Sequence, residues 1–248
     1  MADPIHQFVI QPIIPFEVGG IDLSFTNSAL WMTIAAVTSI TFLSVSMRRK
    51  SLVPDRMQMS SEIVYQFIAD MIRENIGSKG REYFPLIFTI FMMVLLGNML
   101  GLIPYSFTYT SHLIVTGALA LMIFLMVMVI GIFRHGTHFF SLFLPPDVPA
   151  WLLPLIIPIE IMSFLVRPVT LSVRLFANMM AGHIMLKVFA GFSAGAMSLG
   201  AAGIIAGLFP AAFNTVMITF ELLIAFLQAY VFTILCCIYL KDTIEIGH

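Results

Sequence analysis

The sequence predicts an all-α polytopic membrane protein. Five membrane crossings and one amphipathic surface helix are expected. Two observations carry this. Of the 248 residues, 60% are hydrophobic and only 10% charged, against about 45–50% apolar and about 25% charged in a soluble domain. The apolar residues also fall in long uncharged runs, and the mean hydropathy is +1.01. A soluble enzyme, a disordered chain and a nucleic-acid binder are excluded, and the net charge of −1 leaves no broad basic surface. Cys236 and Cys237 are adjacent and give no disulfide framework; they read as small apolar helix residues.

A span needs about 20 apolar residues, because the hydrocarbon layer is about 30 Å thick and a helix rises 1.5 Å per residue. Residues 1–26 carry no Lys or Arg. They form an external N-terminal segment without the positive start of a cleaved signal. Residues 27–47 are the first span, with Asn27 or Ser28 as its cap. Residues 54–77 differ. Ile63, Val64, Phe67, Ile68, Met71 and Ile72 recur with helical spacing, and Asp55, Arg56, Glu62, Asp70, Arg73 and Glu74 fill the other side. This segment lies along the membrane surface and ends at Gly77 and Gly80.

The run from Tyr83 to Phe133 lacks any charged side chain and is too long for one span. A break at Pro104 and the polar run SFTYTSH (106–112) divides it into spans 83–103 and 113–133. Basic residues set the orientation. None lies in residues 1–47, whereas Arg48, Arg49, Lys50, Arg56, Arg73, Lys79 and Arg81 lie in residues 48–82. The N-terminus is therefore expected outside. The surface helix and the loop 133–149, with His135 and His138 solvated, are expected on the cytoplasmic side. Residues 151–189 and 198–240 are long apolar stretches, with GFSAGAM (191–197) as the turn between them. At about 40 residues each they are about twice the length a span requires. Either each tilts steeply or one contains a break, for which Pro158, Pro168 and Pro210 are candidates. Gly203 and Gly207 have the spacing that lets helices approach closely. No internal repeat of the transporter kind is read.

Ionisable residues inside spans are the candidate functional residues, because each costs about 2.5–3.5 kcal/mol or more at the bilayer centre. Arg174, flanked by Val173 and Leu175, is the sharpest. Its guanidinium keeps its proton, which suits a fixed charge facing a partner that gains and loses one. The competing reading is a permanent ion pair with Glu160 or Glu221. Glu160, Arg167 and Arg174 are spaced by seven and share a stripe, with Asn178 one turn beyond. His183, nine residues from Arg174, points the other way and belongs to a separate wet path. Glu221 and Gln228 share a face of the last helix, and Glu221 meets His183 if the helices pack antiparallel. A His–Glu pair relays protons, because histidine titrates near neutrality. A hydrogen-bonded structural role for His183 and interhelical bonding by Gln228 compete with this. Asn98 and His112 are weaker candidates. No HExxH zinc pair, GxSxG elbow or P-loop is expected, so any ATP chemistry takes place elsewhere.

LSVRLFANMMAGH (171–183) and ELLIAFLQAYVF (221–232) resemble the motifs of subunit a of F-type ATP synthases, the membrane stator beside the rotating ring of c subunits. The resemblance covers nearly the whole chain, weakening over the first 25 residues and over 135–150. It implies that Arg174 is the essential arginine facing the ring carboxylates. Asn178 and Gln228 then match polar neighbours, and His183 and Glu221 line the outer half-channel. Glu160 and Ser163 lie near the cytoplasmic half-channel. Many bacterial members carry Glu and His in the exchanged order. The resemblance further implies a steeply tilted final hairpin, a c-subunit ring, b-type peripheral stalk subunits and the rest of the complex as partners, and no cofactor or metal. A bacterial plasma membrane, rather than the mitochondrial inner membrane, is the expected location, with the C-terminus cytoplasmic. A secondary transporter binding an anionic substrate at Arg174 is the alternative function. A membrane scaffold with the polar stripe as helix–helix glue is the third reading.

Overall fold

The computed structural model describes residues 8–18, 21–22, 24–48, 54–103, 106–136, 139, 152–198 and 200–244. The expected break at Pro104, the cations Arg49 and Lys50, His138, most of the loop after α4 and the start of the fifth helix at residue 151 lie outside the described residues. The N-terminal segment folds as two nested antiparallel pairs: β1 (Pro12–Ile14) with β4 (Phe25–Thr26), and β2 (Glu17–Val18) with β3 (Ile21–Asp22). Nothing in the hydropathy pattern announces these short strands. Among the described residues six α-helices follow: α1 (Asn27–Ser46), α2 (Arg56–Asn75), α3 (Phe84–Gly101), α4 (Leu113–His135), α5 (Leu153–Met197) and α6 (Ala201–Ile244). All but α2 are long and apolar enough to cross a membrane, and the chain is a multi-pass membrane protein.

Local chemistry sets the helix ends. The hydroxyl of Thr26 accepts from the Ala29 N–H at 3.3 Å and caps α1, while Asn27 Oδ1 accepts from the Ser28 N–H at 2.9 Å and the Gln11 N–H at 3.2 Å. The cap is therefore shared one residue earlier than expected, and Asn27 ties the helix to the hairpin, its amide also donating to Val9 O at 3.1 Å. Asp55 caps α2, its carboxylate accepting from the Arg56 N–H at 2.8 Å. Gly77 (φ +77°) turns the chain out of α2 into a 3-10 helix, Gly77–Tyr83. A side chain there would be strained, because positive φ brings Cβ against the backbone.

Helix α2 buries Gln58, Ser61, Ile68, Met71 and Ile72. Ile63, expected on the apolar face, is 57% exposed. The N-terminal half of the buried face is thus polar, and Gln58 Nε2 donates to Glu62 at 2.7 Å.

Helices α5 and α6 have 45 and 44 residues, or about 68 and 66 Å at 1.5 Å per residue. Both run unbroken through their interior prolines, Pro158 and Pro168 in α5 and Pro210 in α6. The expected turn GFSAGAM is instead the last two turns of α5. The reversal falls after Met197, with Gly200 at φ +91°. This segment also corrects the reading that GxSxG is absent, since Gly191 to Gly195 spell it. It is no nucleophile elbow: Ser193 lies inside the helix, buried, and donates to Gly207 O at 2.8 Å. A Cβ on Gly207 would meet Met197 Cγ at 2.7 Å and Ser193 O at 2.9 Å, so only glycine permits this approach.

The chain divides into two compact units, each continuous through space but not through sequence. The first takes residues 1–42, 92–112 and 175–229; the second takes 43–91, 113–174 and 230–248. In the first, Asn98, Phe107, Leu175, Met179, Ala225 and Ala229 are buried. In the second, Ile68, Ile87, Phe91, Ile123, Val127, Phe232, Cys236, Cys237 and Leu240 form the core. Both cysteines are free and buried.

Candidate functional site

The first unit holds a buried polar cluster. Glu221 on α6 is 4% exposed, and neither carboxylate oxygen has a hydrogen-bond donor among the described residues. A buried carboxylate left without donors is expensive, so the nearest polar group matters most. It is His183 on α5, whose Nε2 stands 3.8 Å from Glu221 Oε1. That is ion-pair distance but beyond hydrogen-bond length. The same Nε2 is 2.9 Å from the hydroxyl of Thr108. Phe8 meets the His183 ring edge-on, centroids 6.3 Å apart.

Glu221 and Thr108 are each held by a close approach that glycine allows. A Cβ on Gly182 would come within 2.5 Å of Glu221 Oε1, and one on Gly101 within 2.6 Å of the Thr108 hydroxyl. Gly97 likewise leaves room for the ring of Tyr109, whose hydroxyl donates to Met93 O at 2.8 Å. Phe107 through Ser111 are all buried, Tyr109–Ser111 as a 3-10 turn. The run SFTYTSH is therefore not a solvated connection. It is largely packed, and its Thr108 contacts His183. Burial pushes the Tyr109 phenol far above its usual range, so it stays a neutral donor. Burial also lowers the pKa of His112, which stacks on Phe107 with centroids 5.1 Å apart.

Two amide side chains complete this unit. Asn98 is fully buried, and its Nδ2 donates to Ala225 O at 3.2 Å, binding α3 to α6. Gln228 is buried at 7% exposure, two turns beyond Glu221. Asn178 is half-buried on α5.

Arg174, in the second unit, presents differently. It is exposed on α5 and makes no ion pair among the described residues. Ser163, eleven residues before it, lies within about 20° of the same helical line and is also exposed. Ala177 and Ala181, one and two turns beyond, are exposed and small. Buried Leu171, Leu175 and Met179 lie about 60°, 100° and 140° round the helix from Arg174, on its packed flank. Glu160 is half-buried. Arg167, two turns before Arg174 on the same unbroken helix, is engaged: it pairs with Asp242 of α6 at 3.0 Å, and its guanidinium stands 5.7 and 5.4 Å from the ring centroids of Phe164 and Tyr239.

Sequence reasoning missed Thr108 and Asp242. Thr108 carried a signal, as a hydroxyl within the polar interruption of a long apolar run. Asp242 had none, because it follows Lys241 at a helix end where an acid is ordinary. His135, expected to be solvated, is the last residue of α4, and its Nε2 is out of contact with water. Among the described residues no group of three or more His, Cys, Asp or Glu is placed to hold a metal.

Comparison with known proteins bears on what this arrangement serves. Residues 29–241 match the family model described as ATP synthase A chain. A protein of Agrobacterium fabrum named ATP synthase subunit a is 52% identical over 246 residues, 99% of this chain and 99% of the relative. One of the same name from Chelativorans sp. is 52% identical over 247 residues, 100% of this chain and 99% of the relative. Another from Rhizobium etli is 51% identical over 245 residues, with 99% and 98% covered.

Proposed function

The chain belongs to the ATP synthase A chain family, and from that premise we propose that it is the proton-conducting stator subunit of an F-type ATP synthase. It exchanges protons with the carboxylates of a rotating c-subunit ring through two offset half-channels. The observation that carries this reading is Arg174. A permanent cation on an apolar helix, exposed and without an ion pair among the described residues, has its counter-charge on another molecule. Small Ala177 and Ala181 beside it let a partner helix come close.

On this reading a proton enters from the outer face past His183 and Glu221 and neutralises a ring carboxylate, which then turns into lipid. A carboxylate arriving from the other side releases its proton past Ser163 and Glu160 toward the cytoplasm. Arg174 holds the ionised intermediate and blocks direct leakage, with Asn178 one turn beyond it on α5. The driving force is about 2.3 kcal/mol per charge per 100 mV. An attraction several times larger would trap the ring, so the carboxylate meets Arg174 through water or polar neighbours. The b-type peripheral stalk holds the stator, and the catalytic steps on ATP belong to the rest of the complex. The membrane is the bacterial plasma membrane, with the N-terminus outside and the C-terminus cytoplasmic. There the lengths of α5 and α6 require a steep tilt. A self-contained transporter binding an anion would turn Arg174 toward a cavity within the chain, and its exposure counts against that.

The test is ATP-driven proton pumping in membranes carrying Arg174→Ala, with ring pull-down as the assembly check. The expected result is an assembled complex that neither pumps nor makes ATP and leaks passively. Pumping at the wild-type rate overturns the mechanism, and loss of ring association with transport intact favours a scaffold. Substrate transport by vesicles holding this chain alone establishes the transporter.

A further inference from the structure

The Thr108 hydroxyl sits where two acceptor sites compete for one proton. It lies 2.9 Å from His183 Nε2 and 3.1 Å from Gly101 O. A hydroxyl has one proton to give and two lone pairs to receive with. When Thr108 donates to Gly101 O, it can only accept from His183, so Nε2 carries hydrogen. When Nε2 is bare, the hydroxyl turns and donates to it.

That rotation leaves nothing orphaned. Gly101 O, at the end of α3 where no helical partner remains, also accepts from the Ser106 hydroxyl at 2.9 Å. The carbonyl therefore stays bonded in both settings. A buried hydroxyl whose alternative acceptor is already satisfied moves at little cost, whereas one that strands a buried carbonyl leaves that group desolvated and unpaired. The site is packed: Thr108 is 5% exposed, and its methyl and hydroxyl fill the space a Cβ on Gly101 would take.

We infer that Thr108 is a positioning residue of the outer proton path, a hydroxyl rotor that follows the protonation of His183 Nε2 and keeps that nitrogen bonded in both states. This rests on the proton-path reading above. The steps balance. Doubly protonated His183 breaks its Nε2–H bond and Glu221 gains the O–H bond. His183 is left neutral with its hydrogen on Nδ1, and Glu221, now neutral, breaks its O–H bond to hand that proton on to a ring carboxylate and is ionised again. Thr108 then swings from Gly101 O to the bare Nε2. A proton arriving from the outer side rebuilds the Nε2–H bond, and Thr108 swings back. The 3.8 Å gap to Glu221 requires His183 to be held in one ring orientation between transfers, and the Thr108 bond holds it.

The experiment compares Thr108→Ser, which keeps the hydroxyl, and Thr108→Val, which keeps the shape, in membranes carrying the whole complex. ATP-driven pumping and passive proton flux after removal of the peripheral catalytic part are read per assembled complex. Thr108→Ser is expected at the wild-type rate. Thr108→Val is expected about tenfold slower, the rate equivalent of one hydrogen bond at the upper end of its usual net worth. Packing alone would give the reverse order, and that order, or equal rates, overturns the proposal. Ser106→Ala serves as the second variant. It makes Gly101 O depend on Thr108, pins the hydroxyl away from Nε2 and is expected to slow flux severalfold. Wild-type flux in Ser106→Ala overturns the rotor even where Thr108→Val fails to assemble. Arg174→Ala runs alongside. If it pumps, the proton-path reading itself fails. If it does not pump while Thr108→Val is normal, only the rotor fails.

Discussion

Gly182→Ala tests whether the seat of Glu221 sets the rate. The added Cβ lies 2.5 Å from Glu221 Oε1, 2.8 Å from Cδ and 3.2 Å from Cγ, whereas ordinary contact begins at 3.4 Å. The carboxylate must therefore retreat by about 0.9 Å. Glu221 is buried, so the retreat presses on packed neighbours, at a cost of about 1–3 kcal/mol. It also alters the 3.8 Å separation from His183. A misplacement near 1 Å in a reacting pair costs up to roughly a hundredfold in rate. Pumping per assembled complex is expected to fall between tenfold and a hundredfold. Gly195→Ala is the control, because nothing lies within 4 Å of its Cβ. It is expected to leave pumping unchanged and to stabilise α5 by about 0.5–1 kcal/mol. Glu221→Asp withdraws the carboxylate by one methylene, so the double variant with Gly182→Ala is expected to pump no worse than Glu221→Asp alone. Wild-type pumping by an assembled Gly182→Ala complex would refute the reasoning.

Three further outcomes are expected. His183→Glu and Glu221→His each slow pumping by about tenfold or more, as loss of a positioned acid–base group does; the exchanged double variant regains part of it, and a double as slow as the product of the singles would show that the two do not act as a pair. Arg167→Gln removes an ion pair about one-third exposed and its contacts with two rings, costing about 1–2 kcal/mol and lowering Tm in detergent by roughly 3–6 °C; an unchanged Tm would mean the pair is idle. His112 has its pKa lowered from 6.5 by burial, so as pH falls through 6.5 the unfolded chain binds a proton that the folded chain refuses and stability drops. Thermal unfolding between pH 7.5 and 5 should show a shallower decline for His112→Asn, and parallel curves would contradict this.

The membrane spans were legible because each depends on a run of apolar residues against a fixed hydrocarbon thickness, a property of consecutive residues alone. Arg174, His183 and Glu221 stood out for the same reason: a charge inside such a run costs enough to need a purpose. The turn after α5 was misplaced because the glycines and serine in GFSAGAM are turn formers in water. In an apolar helix they are small interface residues, and Gly207 accepts their close packing. The nested strands were hidden because two-residue pairings leave no periodicity to detect.

The sequence by itself determined the class of the protein, its membrane spans, its amphipathic helix and the candidate residues proposed to carry its function, since hydrophobic run length and the cost of isolated charge act locally. Only the tertiary structure decided what each of those residues faces. It paired Arg167 with Asp242 across 75 positions and His183 with Thr108 across another 75. It also left Arg174 on an open face. Hydrogen bonds and ion pairs act over about 3 Å, and which groups come that close is settled by helix packing, where a glycine two turns away admits or excludes a side chain.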